Sequence, residues 1–211
     1  MRVPLFDMPR DAQMVSLYVF SALASLTYLL AINRCIAERS LNPQLYCVGG
    51  NVTCLLEPLL TRLLDATHAQ NGQQIAYESL GQLVPWHAAI SCTLYLGLAY
   101  LSLVPALRER RYAAATIGLI LPGMTLSAWI YEVPLIRVGL WSYYCDQLFQ
   151  PLGLQPVYWS FASMAMLITP TALIARYEAL LHGWRKILIA ALAPIGALRA
   201  QPVPAGPSGL R

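Results

Sequence analysis

The sequence predicts an all-α fold, a polytopic integral membrane helical bundle. Hydrophobic residues make up 57% of the 211 residues and charged residues only 11%, less than half of the roughly 25% found in soluble domains. The mean hydropathy is +0.53, and the apolar residues are gathered in runs long enough to cross a bilayer. This composition excludes an ordinary soluble enzyme, a disordered chain and a nucleic-acid-binding protein.

Five runs of about twenty mostly apolar residues predict five clear transmembrane helices. They cover residues 14–33, 43–64, 84–105, 112–133 and 157–176. A further apolar run, 187–198, is too short for a comfortable span, so it is left open as a short, re-entrant or interfacial sixth helix. Residues 1–200 are expected to form one domain. The tail 201–211, rich in Pro, Gly and Ser, is expected to be disordered.

The positive charges predict the orientation of the bundle. Eight Arg and Lys residues fall in the first, third and fifth loops, against four on the other side, or six if the last run crosses. Because Arg and Lys favour the cytoplasmic side, those three loops are expected in the cytoplasm. The two longest loops, 65–83 and 134–156, are then expected to lie together on the opposite side.

Glu57 is the most informative residue, because an ionisable group inside a span is costly and is a functional candidate by default. At 1.5 Å per residue it lies about 10 Å below the non-cytoplasmic boundary. A carboxyl group kept protonated there can act as an acid. Pro58 frees the carbonyl of Cys54, and Thr53 and Thr61 could hydrogen-bond Glu57 from the same helix face. The alternative is that Glu57 only fixes helix packing.

Two further carboxyl groups are expected near the same leaflet. Glu132 ends the fourth span, and Asp146 follows in the loop after it. Each could orient the acid or take up a proton, and each could equally be a solvated interfacial residue. His87 begins the third span, where a hydrogen-bonded interfacial histidine is the more ordinary interpretation.

Aromatic side chains are concentrated at this leaflet as well. Interfacial belts account for part of the set. Rings also stabilise cations at their faces, so an acid in an aromatic pocket that excludes water suits carbocation chemistry. The predicted substrate-binding residues are Trp86, His87, Trp129, Tyr131, Trp141, Tyr144, Trp159 and Asn51.

Several motifs are missing from the sequence. There is no DDxxD or DxDD run, and no GxSxG, HExxH, P-loop or GxGxxG. The three histidines are scattered, and the five cysteines show no CxxC spacing, so they are expected to be small buried residues. We therefore expect neither a metal nor a cofactor.

Two stretches resemble a group of small bacterial multi-span proteins. The first is GGNVTCLLEPLL at 49–60, followed by VPW at 84–86. The second includes YEVP at 131–134, GLWSYYCDQ at 139–147 and QPVYW at 155–159. The group includes the membrane-bound type II terpene cyclases of actinobacterial indole-sesquiterpenoid and meroterpenoid pathways. The resemblance implies protonation and cyclisation of a prenyl chain already attached to an aromatic or cyclodipeptide partner.

Together these observations predict a metal-independent type II terpene cyclase in the bacterial plasma membrane. Glu57 would donate the proton, with Glu132 and Asp146 as its supporting carboxyl groups. The expected partners are a lipophilic prenylated small molecule, such as a farnesylated indole, and the lipid bilayer, without nucleic acid. The alternatives are a sterol-isomerase-like membrane enzyme and a lipid-binding or transport protein without chemistry. Substrate identity, alkene or epoxide protonation, and oligomeric state stay open.

Overall fold

The structure is a computed structural model, and it describes residues 4–109, 113–144 and 156–200. The predicted site residue Asp146 and the predicted disordered tail 201–211 lie outside the described residues. The described part is mostly helical, as the composition predicts.

Helix α1 (Arg10–Glu38) is the longest helix of the described residues and contains the first predicted span. Small or short side chains, such as Ala24, Thr27 and Ala31, form its buried face. Its leucines are instead largely exposed: Leu29 is 61% exposed. An apolar surface of this kind on a 29-residue helix indicates contact with lipid tails rather than water.

The second predicted span is not one helix. The chain forms α2 (Asn42–Val52), a 3₁₀ turn (Thr53–Leu56) and α3 (Glu57–Leu63). Pro58 lies in the first turn of α3, where its missing N–H costs no helical hydrogen bond. The Cys54 carbonyl accepts hydrogen bonds from the Glu57 N–H and from the Tyr77 hydroxyl. The break therefore places Glu57 at the beginning of a new helix.

The remaining helices follow the predicted apolar runs more closely. The third run forms α4 (Trp86–Cys92), a π-helical turn (Thr93–Gly97) and α5 (Leu98–Arg108), which continue one another. The others form α6 (Ala113–Arg137), α7 (Val157–Tyr177) and α8 (Leu188–Arg199). Short 3₁₀ turns at Glu178–Leu180 and Gly183–Ile187 join α7 to α8.

Within the described residues, three helices are long and apolar enough to cross a membrane: Arg10–Glu38, Trp86–Arg108 and Tyr158–Leu180. They indicate a membrane protein. The prediction of five clear spans is not supported. The division of 43–64 into short helical pieces is one physical reason, since none of those pieces is long enough to cross the hydrocarbon core alone.

Two small antiparallel sheets, which the all-α prediction did not include, form between the helices. Strand β1 (Ala66–His68) pairs with β4 (Trp141–Tyr143), with His68 opposite Trp141. Strands β2 (Ile75–Ser79) and β3 (Gln82–Pro85) form a hairpin. Because β1 and β4 come from the two longest predicted loops, the structure confirms that these loops lie together. Their side of the membrane stays a prediction.

Helix α8 packs tightly against its neighbours along one buried face. Ile189, Ala193 and Ala197 have 0% exposure. A Cβ atom added to Gly196 would lie 2.5 Å from the Cα of Pro170 in α7, and one added to Gly50 in α2 would lie 2.5 Å from the backbone nitrogen of Gly97. Small residues thus allow close approach of helix backbones, as is common in membrane bundles.

We expect Gly196→Ala to destabilise the protein, because the new methyl group would meet the Pro170 backbone rather than a flexible side chain. Overpacking of this kind costs about 1–3 kcal/mol, which for a chain of this size lowers the melting temperature by roughly 2–4 °C per kcal/mol. Thermal unfolding in detergent measures the effect. Gly118→Ala is the matched control, since a Cβ there has nothing within 4 Å; equal melting temperatures for the two variants would contradict the packing.

An ion pair joins the end of α5 to the turn that follows α7. Arg108 Nε lies 2.7 Å from Glu178 Oε1, and the Glu178 side chain is 2% exposed. The Tyr46 hydroxyl donates to the other carboxylate oxygen of Glu178. This cluster ties α2 and α5 to the end of α7.

Candidate active site

One cavity lies where the beginnings of α3, α4 and α7 meet the end of α6 and strand β4. The space between its walls is about 880 Å³, with the open solvent at its mouth included. Its apolar walls come from Leu, Ala, Cys and Met side chains. The lining residues with polar or aromatic groups are Thr53, Glu57, His68, His87, Ser91, Tyr95, Tyr131, Glu132, Trp141, Trp159 and Ser163.

Glu57 lines the cavity from the first residue of α3, and its side chain is 17% exposed. Its Oε1 atom lies 3.3 Å from Nε2 of His68. The two threonines expected to bond this carboxyl group do not do so. Thr61 Oγ1 donates to the backbone oxygens of Glu57 and Pro58, and Thr53 Oγ1 donates to the Gly49 oxygen. Both hydroxyl groups satisfy their own helices, as buried threonines commonly do.

His68 is held by the small β1–β4 sheet. The imidazole is 5% exposed, and its ring centroid lies 5.1 Å from that of Trp141, its partner across the strands. His87, 3% exposed, lies at the beginning of α4 with its ring centroid 6.1 Å from that of His68. Two imidazoles and one carboxyl group thus share this part of the cavity.

Glu132 is held by two hydrogen bonds, one to each oxygen. Trp159 Nε1–H donates to Oε1 at 2.7 Å, and the Tyr143 hydroxyl donates to Oε2 at 2.8 Å. Burial, followed by the nearby Glu132 charge, raises the pKa of Tyr143 well above its usual range, so the phenol keeps its proton at neutral pH. Both oxygens of Glu132 therefore act as acceptors; these two hydrogen bonds favour its carboxylate form, whereas its burial disfavours that form.

Aromatic rings form a second wall. Tyr131 stacks on Tyr95 with ring centroids 5.9 Å apart, and its other neighbour is Phe20 at 5.6 Å. Tyr95 lies in the π-helical turn Thr93–Gly97, a local widening that often occurs at functional sites. Offset rings of this kind present negative faces that attract positive charge.

Four of the predicted binding residues do not line the cavity. Trp86 is 49% exposed, Trp129 donates its indole N–H to Ser160 at 3.1 Å, and Asn51 donates to Thr93 at 2.8 Å. Tyr144 bonds the Asp65 carbonyl through its backbone N–H. These four residues therefore contact other parts of the protein or its surface rather than the cavity.

The structure brings together the other described candidates: Glu57, His87, Tyr131, Glu132, Trp141 and Trp159. It adds residues that the sequence analysis missed, among them His68, Tyr95, Tyr143, Ser163 and Met166. Helical spacing could have found some of them. His87, Ser91 and Tyr95 are four residues apart, and Trp159, Ser163 and Met166 follow the same helical rule. A three-residue strand gives no comparable signal for His68.

In the part of the chain that the structure describes, no group of three His, Cys, Asp or Glu side chains is arranged to hold a metal ion. No protein-family model matches the chain, and no curated protein or solved structure is similar to it. The functional argument therefore depends on the geometry of the cavity.

Proposed function

We propose that this chain is a membrane-bound type II terpene cyclase, which protonates the prenyl chain of a prenylated aromatic, indole or meroterpenoid substrate and cyclises it through carbocations. One observation carries the proposal: two carboxyl groups, Glu57 and Glu132, line a single cavity whose other walls are mostly aromatic or apolar. The chemistry of this lining suits a lipophilic chain, and the two carboxyl groups can serve as acid and base.

The two carboxyl groups differ in ways that suit different roles. Glu57 has the His68 imidazole beside it and is the proposed proton donor. Glu132 accepts hydrogen bonds from Trp159 and Tyr143 on its two oxygens, and these bonds favour its carboxylate form against the effect of burial. In that form it would stabilise the developing cation and take the final proton. General acid and base catalysis by positioned groups accelerates reactions by about 10²–10⁴-fold.

The aromatic walls complete the proposed chemistry. A cation over a desolvated ring gains up to about 2 kcal/mol or more, and Tyr131, Tyr95, Trp141 and Trp159 all face the cavity. Exclusion of water protects such a cation from early quenching. The conformation of the bound prenyl chain determines the ring system of the product. That conformation would depend on these side chains and on the apolar wall.

The resemblance described above is consistent with this cavity. Its first stretch, 49–60, contains Glu57 and its second contains Tyr131, Glu132, Trp141 and Trp159. All five residues line the cavity. Residues from both stretches thus meet at the site, although they are far apart along the chain.

The test is incubation of the purified protein in lipid nanodiscs with 3-farnesylindole. We expect a product of unchanged mass with fewer alkene signals in its NMR spectrum, because cyclisation is an isomerisation. Mass spectrometry of the lipid that purifies with the protein separates the alternatives. A bound sterol, with no turnover of prenylated aromatics, would favour the sterol-isomerase-like enzyme. Bulk phospholipid and no turnover of either would favour a binding or transport protein.

A further inference from the structure

The acid of a type II cyclase needs a new proton after every turnover. When Glu57 transfers its proton to the substrate, it is left as a carboxylate, while the proton lost by the final cation goes to a different base. The net reaction is an isomerisation, so a proton must return to Glu57 before the next cycle. A group beside Glu57 that can both accept and donate a proton would meet this need.

We infer that His68 is this group and returns the proton to Glu57 between turnovers; the inference rests on the proposed cyclase function. The pair has its atoms in place, with Nε2 of His68 3.3 Å from Oε1 of Glu57. Within the described residues, no other side-chain hydrogen bond reaches the Glu57 carboxyl group. His87 is in the same cavity but has no hydrogen bond to Glu57.

The step transfers one proton and no electrons. The Nε2–H bond of the His68 imidazolium breaks, an O–H bond forms at Oε1 of Glu57, and the ring becomes neutral. The vacated Nε2 then takes a proton from water that enters the cavity as product leaves, while Nδ1 keeps its proton. The base that received the product's proton returns one to water, so each cycle balances.

The position of His68 does not depend on its contact with Glu57. Its backbone is paired with Trp141 in the β1–β4 sheet, and its ring packs on the Trp141 ring. His68→Gln can therefore keep a hydrogen bond to Glu57 while losing the ability to carry a proton. That substitution separates proton return from simple positioning of the acid.

Rapid-quench kinetics test the inference. The protein is equilibrated before it is mixed with substrate, so that Glu57 already carries its proton at the first turnover. For His68→Gln we expect a first turnover close to the wild-type rate, followed by steady-state turnover at least about 10²-fold slower, the scale of lost acid–base catalysis. Added imidazole should restore part of the steady-state rate. His182→Gln, an exposed histidine at the far side of α7, is the matched control and should behave as wild type.

Two results for His68→Gln would overturn the inference but leave the proposed function intact. One is equal slowing of the first and later turnovers, which indicates that His68 only positions the acid. The other is no slowing of either. If the wild-type protein itself gives no cyclised product, the proposed function fails and the inference with it. A second test needs no turnover, so it remains decisive even if His68→Gln does not fold. In ¹⁵N-histidine NMR, the His68 signal should move in Glu57→Gln but not in Glu132→Gln, and an unchanged signal in Glu57→Gln would refute the pair.

Discussion

Replacing Glu57 by glutamine should reduce turnover by at least about 10²-fold, the usual scale for losing a general acid. Glutamine keeps the size of the side chain and its hydrogen bonding to His68, but it has no proton to give to an alkene or epoxide. The fold should change little, because the Glu57 carboxyl group is partly exposed to the cavity and does not belong to the buried packing of α2, α7 and α8. Steady-state product formation and thermal unfolding measure the two effects separately.

Glu78→Gln is the matched control for this experiment. It makes the same chemical change on strand β2, at an exposed position that does not line the cavity, and should leave turnover unchanged. Near-normal turnover by Glu57→Gln would mean that Glu57 is a packing residue. The acid role would then pass to Glu132, or to Asp146 outside the described residues.

Cyclisation should continue in excess EDTA, whereas an enzyme that depends on Mg²⁺ would lose its activity; this is our second main prediction. An enzyme that ionises a diphosphate holds Mg²⁺ with clustered carboxylates, because the leaving group carries several negative charges. Here the ten acidic residues never occur as an adjacent pair, and Glu57 and Glu132 each have a different set of hydrogen-bonding neighbours. Isolated protonation suits this arrangement better than a metal cage.

Heavy water adds a second measurement to the EDTA experiment. If the substrate is an alkene, the product should gain one deuterium at the protonated carbon, which mass spectrometry detects. An epoxide would place the exchangeable deuterium on oxygen, and washing with ordinary water would remove it. The contrary result is loss of activity in EDTA that Mg²⁺ restores, and this result would refute the type II assignment.

Much of the candidate site could be predicted from the sequence because ionisable groups are rare in apolar segments. Glu57 and Glu132 are conspicuous for this reason, and both line the cavity. The aromatic residues were harder to sort. Trp141 and Trp159 reach the cavity, whereas Trp86 and Trp129 do not, because the rotation of each helix about its axis depends on contacts with other helices.

The sequence by itself determined that the chain is largely helical and apolar enough for a membrane, since these properties follow from composition and from the length of apolar runs. Only the tertiary structure decided how the second apolar run divides at Glu57, and that β1 pairs with β4. The pairing depends on residues more than seventy positions apart, and a strand of three residues has too little local pattern to reveal it. It nevertheless brings His68 beside Glu57, so the pair at the centre of the proposed chemistry exists only in the folded chain.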